Sequence, residues 1–260
     1  MFDEGLIKIN GKDYVTLYGI CIAIGIIFCI WTLHILGKKL KVEKKFIDNV
    51  ETIGYVAIII GFVFAALFQG FYNYLDDGKF TFNSITFLGG LIGGVGAFLA
   101  VYFIFRKKLT GSIIEILPIA PACITIAHAF GRVGCFFAGC CGGKETTSWL
   151  GIRFPGDDFK TLPTQLFEAV FLFILFGVMF YLTYKKHFKY SFVIYLGGYG
   201  VWRFALEFLR GDDRGSFIGN LSPSQFWSLI MILLAAPMYF ILKFLYTKRD
   251  KALEIKKDNI

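Results

Sequence analysis

The chain has 260 residues, 56% of them hydrophobic and 18% charged, with a mean hydropathy of +0.63; an ordinary soluble domain is about 45–50% apolar. That composition excludes a water-soluble globular protein and calls for a bilayer as solvent. A formal net charge of +8 by itself allows nucleic acid or a membrane surface as partner, and the placement of the cations between apolar blocks excludes nucleic acid.

Apolar blocks about as long as the roughly 20 residues of a membrane helix fall at 14–36, 53–73, 85–105, 112–133, 164–184, 190–209 and 224–246. They predict an all-α membrane protein of about seven transmembrane helices, a single polytopic domain over 1–260 with a short basic tail from about 247. The N-terminal MFDEGLIKINGKDY is mixed in charge and the first block is long for a leader, so that block is expected to stay as an anchor. The connections after the first, third, fifth and seventh spans carry sixteen cations (Lys38, Lys39, Lys41, Lys44, Lys45, Arg106, Lys107, Lys108, Lys185, Lys186, Lys189, Lys248, Arg249, Lys251, Lys256, Lys257). The other side carries eight (Lys8, Lys12, Lys79, Lys144, Arg153, Lys160, Arg210, Arg214). The bias predicts an outside N-terminus and a cytoplasmic C-terminus. The outer connections hold the Gly, Asp and Ser turn chemistry, so function is expected there.

An ionisable side chain inside hydrocarbon costs at least about 2.5–3.5 kcal/mol and is a functional signal by default. His128 and Arg132 end the fourth span at i, i+4, on one helical face. In the sixth span, YGVWRFALEFLRGDD, Glu207 follows Arg203 by four residues and precedes Arg210 by three. With Arg132, the membrane would hold three cations against one anion, a surplus that an anionic, lipid-tailed ligand would balance. Arginine's planar fork of donors suits phosphate, so a phospholipid headgroup is the expected ligand. Tyr18, with Gly19 beside it, stands in the first span. The run LGGLIGGVGA over 88–97 brings Gly89, Gly90, Gly93, Gly94 and Gly96 into the third, either for helix packing or for approach of a ligand to the backbone.

Cys21, Cys29 and Cys123 lie within apolar spans, as small hydrophobes do, whereas Cys135, Cys140 and Cys141 cluster in RVGCFFAGCCGGKE at the membrane boundary. One disulfide there, from Cys135 to Cys140 or to Cys141, would stiffen a glycine-rich segment. A nucleophilic thiol would have only His128 as a neighbouring base. The spacing C-x4-C-C matches no recognised zinc pattern, and neither a metal nor another cofactor is expected.

GRVGCFFAGCCGG at 131–143 resembles the signature of the prolipoprotein diacylglyceryl transferase family, and the likeness extends to LYG near Tyr18, GGLIGG at 89–94, PTQLFEA at 163–169 and YGVWRFALEFLRGDD at 199–213. By that resemblance the chain moves diacylglycerol from phosphatidylglycerol to the lipobox cysteine of prolipoprotein signal peptides in a bacterial-type plasma membrane, with its site toward the outer leaflet. Arg132 and Arg203 match the family's two essential arginines, which would hold the phosphate and stabilise the departing glycerol phosphate. Tyr18 matches a functional tyrosine, Gly131 and Gly143 the bracketing glycines, and Glu207 and Arg210 the polar residues after the second arginine.

Three positions of the signature depart from the family: Cys135, Ala138 and Cys140 stand where it carries Asn, Asn and Glu, and Leu88 replaces the histidine that precedes its paired glycines. His128 is the candidate to assume the basic role. Two other readings remain at this point: a transferase with a different acceptor, and a non-catalytic lipid-binding or thiol-redox membrane protein. The first reading requires Tyr18, His128, Arg132 and Arg203 to converge.

Overall fold

The computed structural model describes residues 7–9, 12–81, 87–211 and 221–258. The outer segment 212–220, with Arg214, and the Leu88 side chain lie outside the described residues. A short antiparallel hairpin, β1 (Ile7–Ile9) and β2 (Lys12–Val15), precedes helices α1 (Leu17–Lys39), α2 (Lys44–Asp77), α3 (Phe87–Phe105), α4 (Ile113–Ile116), α5 (Ala120–Phe137) and α6 (Thr164–Lys186). After them come α7 (Ser191–Ile194), a π-helical turn (Tyr195–Tyr199), α8 (Gly200–Glu207) and α9 (Pro223–Asp258). Six of these helices are long and apolar enough to cross a membrane. The seventh expected span is the unbroken run from α7 through the π turn to α8, so the protein is a multi-pass membrane protein.

The helix ends follow from local chemistry. Thr16 caps α1, its hydroxyl accepting from the Gly19 amide at 3.1 Å, and Lys38 and Lys39 occupy the last turn where the helix dipole favours cations. Gly78 closes α2 in a left-handed conformation (φ 69°), and His187 does the same for α6 (φ 49°). Two spans differ from the sequence reading. Helix α2 begins at Lys44, nine residues before the expected 53, because KKFIDNVE has no helix breaker and buries Phe46, Ile47 and Val50. The basic tail, expected as a solvated segment from about 247, continues α9 to Asp258. Pro237 lies inside that helix, as membrane helices tolerate.

The chain gathers into two compact units, 1–40 with 113–260, and 41–112. In the smaller unit α3 lies on α2 through small residues. A Cβ on Gly61 would come within 3.1 Å of the Gly90 carbonyl oxygen, and one on Gly90 within 3.3 Å of the Ala65 methyl. A Cβ on Gly89 would meet Phe68 at 2.5 Å. These glycines let two backbones approach in the way membrane helices pack.

In the larger unit α5 lies between α1 and α6, and α9 packs along the run from α7 to α8. Gly25 and Gly134 bring α1 and α5 together: a Cβ on Gly25 would sit 3.2 Å from the Ala127 carbonyl oxygen, and one on Gly134 2.9 Å from the Tyr18 ring. Some polar side chains within the helices are satisfied locally. The Thr125 hydroxyl donates to the Pro121 carbonyl at 2.7 Å, and Thr183 of α6 and Ser191 of α7 share a hydrogen bond of 3.1 Å.

Candidate active site

The acidic side chain that organises the larger unit is Glu168. It is the one acidic residue of α6, one turn into the helix, and it is fully buried. Its carboxylate holds three groups at once: Oε2 lies 3.1 Å from Arg132 Nε, Oε1 accepts from the Tyr199 hydroxyl at 2.7 Å, and His128 Nε2 stands 3.8 Å from the same Oε1. His128 and Arg132 reach one carboxylate because the i, i+4 spacing puts them on one face of α5. Tyr199 also presents its ring to the His128 edge, with centroids 5.1 Å apart.

A second cluster lies on α8. Arg203 Nη2 contacts Glu207 Oε2 at 2.7 Å and donates to Ser224 Oγ at 2.8 Å, while Ser222 Oγ donates to Glu207 Oε1 at 2.8 Å. Arg210 Nε lies 3.8 Å from the same Glu207 Oε2. Arg203 and Arg210 are buried, and Trp202 stacks on Phe171 of α6 at 4.5 Å with the planes 1° apart. Both clusters belong to one electrostatic neighbourhood, because Arg132 and Arg203 both act on His128 and on Glu168. Tyr18, packed at Gly134, lies within reach of Arg132 and of Cys135, Cys140 and Cys141. The structure thus brings Tyr18, His128, Arg132 and Arg203 to one region.

Glu168 corrects the charge balance drawn from the sequence. Each of Arg132 and Arg203 already has a carboxylate, and three guanidiniums face two carboxylates, leaving one positive charge. A donor nevertheless remains: among the described residues Arg203 Nη1 is buried without a hydrogen-bond partner, whereas Arg132 Nε faces the Glu168 carboxylate. An unsatisfied buried donor costs about 1–3 kcal/mol, so that atom is where an acceptor is wanted.

The chain after α5 is folded back on α6 by PTQLFEA. Thr164 Oγ1 donates to the Cys141 carbonyl at 3.0 Å and Gln165 Nε2 to the Cys140 carbonyl at 2.6 Å. Left-handed Gly139 (φ 67°) and Cys141 (φ 65°) make the turn. Cys135, Cys140 and Cys141 are free thiols in this structure, their sulfurs within 4.8 Å of one another. Hydrogen bonds from Cys135 and Cys140, joined by the Arg210 guanidinium, hold the Cys141 thiol below the ordinary thiol range. Gly143 is walled in by backbone, a Cβ there lying 2.7 Å from the Leu162 carbonyl oxygen and 2.8 Å from that of Leu209. It forms an antiparallel bridge to Arg210 and so fixes where that arginine leaves α8. Gly131, by contrast, leaves its face open, with nothing within 4 Å of an added Cβ.

The family model described as prolipoprotein diacylglyceryl transferase matches residues 4–241. The chain belongs to that family. Relatives include the phosphatidylglycerol–prolipoprotein diacylglyceryl transferase of Clostridium tetani, 33% identical over 87% of this chain and 93% of its own. Others are the second such transferase of Clostridium perfringens (30% identical; 87% and 90% covered) and that of Wolbachia pipientis from Culex pipiens (32%; 85% and 88%).

Within this diacylglyceryl transferase family member, sequence reasoning missed Glu168, Tyr199, Gln165, Ser222 and Ser224. Glu168 carried a usable signal, a lone acid in TQLFEAVFLF, of the same kind that singled out Arg203. Gln165 tests the clamp on the cysteine turn. Gln165→Ala is expected to raise the alkylation rate of Cys140 severalfold, as loss of about 1 kcal/mol of hydrogen bonding frees the turn. An unchanged rate, followed by mass spectrometry of maleimide-labelled peptides, would remove Gln165 from that role.

Proposed function

We propose that the protein transfers the diacylglyceryl group of phosphatidylglycerol to the lipobox cysteine of prolipoproteins and releases glycerol phosphate. The observation that carries the reading is the buried guanidinium donor Arg203 Nη1, without a partner among the described residues, in a region where three guanidiniums face two carboxylates and leave one positive charge to spare. A phosphodiester supplies both the acceptor and the single negative charge. The names of the relatives specify the same two substrates for those proteins.

In this reading the phosphate lies against Arg203 and Arg132, and the glyceryl chain passes the open face at Gly131. The acceptor thiol gives its proton to His128, whose imidazole Glu168 and Tyr199 orient. The thiolate attacks glyceryl C3 and forms the C–S bond. The C3–O bond to phosphate breaks, and the glycerol phosphate leaves with that electron pair, its charge stabilised by the two arginines. Tyr18 lines the same approach, and Glu207 and Arg210 position Arg203. Helix contact with α2 already accounts for Gly89 and Gly90, so the reading asks no headgroup contact of them. The charge bias of the connections puts the N-terminus outside, the C-terminus in the cytoplasm of a plasma membrane, and the site toward the outer leaflet.

Purified protein in lipid nanodiscs should move radiolabelled diacylglycerol from phosphatidylglycerol to a lipobox peptide, and His128→Ala should slow this about 100-fold. Unchanged transfer in that variant rejects the base. The substitutions at Cys135, Ala138 and Cys140 favour a second reading, a different acceptor, which would appear as phosphatidylglycerol consumption without lipidated peptide. No lipid turnover at all would leave a non-catalytic lipid-binding protein.

A further inference from the structure

We propose that Cys135, Cys140 and Cys141 form a three-thiolate zinc centre whose open fourth position takes the thiol of the acceptor. The metal site stands on the cysteine geometry alone, and its role toward the acceptor rests on the transfer reading above. The three sulfurs lie within 4.8 Å of one another and the thiols hydrogen-bond among themselves. Tetrahedral zinc with bonds of about 2.3 Å sets its sulfur ligands about 3.8 Å apart, so small side-chain rotations close the shell. The linear spacing hides this arrangement, because the left-handed turn at Gly139 and Cys141 doubles the chain back on Cys135, whose carbonyl accepts from the Cys140 amide at 3.2 Å.

The surroundings fit a metal better than a packing cluster. Cys141 occupies a left-handed conformation (φ 65°) that glycine adopts without strain, next to two glycines that do not occupy it. Strain of this kind, about 1–3 kcal/mol, is kept where a side chain must be aimed. The carbonyls behind Cys140 and Cys141 are clamped by Gln165 and Thr164, which fixes the sulfurs without a disulfide. Gln165 is 1% exposed, and its Oε1 is buried with no hydrogen-bond partner among the described residues, an acceptor beside the cluster for a zinc-bound water.

Three protein ligands leave zinc one open position, the arrangement of catalytic rather than structural sites. A substrate thiol entering there displaces water and binds as thiolate, its proton passing to His128, since a coordinated thiol is deprotonated. That sulfur then carries the electron pair that forms the thioether, and zinc is released from the product sulfur unchanged in oxidation state.

Full-length protein purified in detergent under reducing, metal-free conditions, then given zinc and desalted, should retain about one zinc per chain by mass spectrometry. Cobalt in its place should give a thiolate-to-metal charge-transfer band, and zinc should protect the three thiols from maleimide. Cys140→Ser and Cys141→Ser should each weaken retention at least about 10-fold, the loss typical of disturbing a metal shell. Wild-type protein that binds neither metal, or serine variants that hold zinc as tightly, overturns the site whatever the variants' folding. Zinc bound without lipidated peptide sinks the transfer reading and leaves the site; full-rate transfer by metal-free protein overturns the acceptor role.

Discussion

Glu168→Ala is expected to abolish lipid transfer and to lower stability by about 3–5 kcal/mol, the loss that follows when one partner of a buried ion pair is removed. The carboxylate is fully buried and serves Arg132, His128 and Tyr199 together. Its removal strands a guanidinium in an apolar region and leaves the Tyr199 hydroxyl without its acceptor. Glu168→Gln separates the two effects. The amide oxygen can still accept from Tyr199, so most of the stability should return, while Arg132 stays unbalanced and His128 loses its anionic neighbour, so transfer should remain slow. Thermal unfolding in detergent and the peptide-lipidation rate are the two measurements. An alanine variant that melts and turns over like the parent would show that the charge on α6 organises nothing.

Arg203 gives the second large effect. Arg203→Ala should reduce transfer about 1,000-fold, the upper range for removing one donor from a charge-stabilising site. Arg203→Lys should recover little of it. A lysine ammonium can approach Glu207 or Ser224, but one compact group cannot serve both and also present the further donor that Nη1 supplies. Because Glu207 would stay paired with Arg210, the lysine variant should fold normally. The decisive split is kinetic: a fall in kcat at saturating phosphatidylglycerol places Arg203 on the departing phosphate, and a rise in KM alone would restrict it to holding the lipid.

The membrane helices were legible in the sequence because twenty apolar residues in a row have few alternatives. Arg132 and Arg203 were legible because a guanidinium in such a run stands out. Glu168 carried the same signal and was passed over inside a recognisable motif, which is why the charge surplus came out one too large. The partners Ser222 and Ser224 were not legible, since serine is common near helix starts and only the packing of α9 brings these two to α8. The cysteine cluster was hidden for a different reason: spacing along a chain says little once two left-handed residues reverse its direction.

The widened turn at Tyr195–Tyr199 has a consequence for angular phase. Ser191 and Arg203 are both buried, yet twelve residues of regular α-helix would rotate them about 120° apart. Five residues wound with i→i+5 bonds take up part of that rotation, so the hydroxyl that meets Thr183 and the guanidinium that meets Glu207 both look inward from a single rod. Losing one residue there would swing the second half of the rod toward lipid while its first half kept its seat.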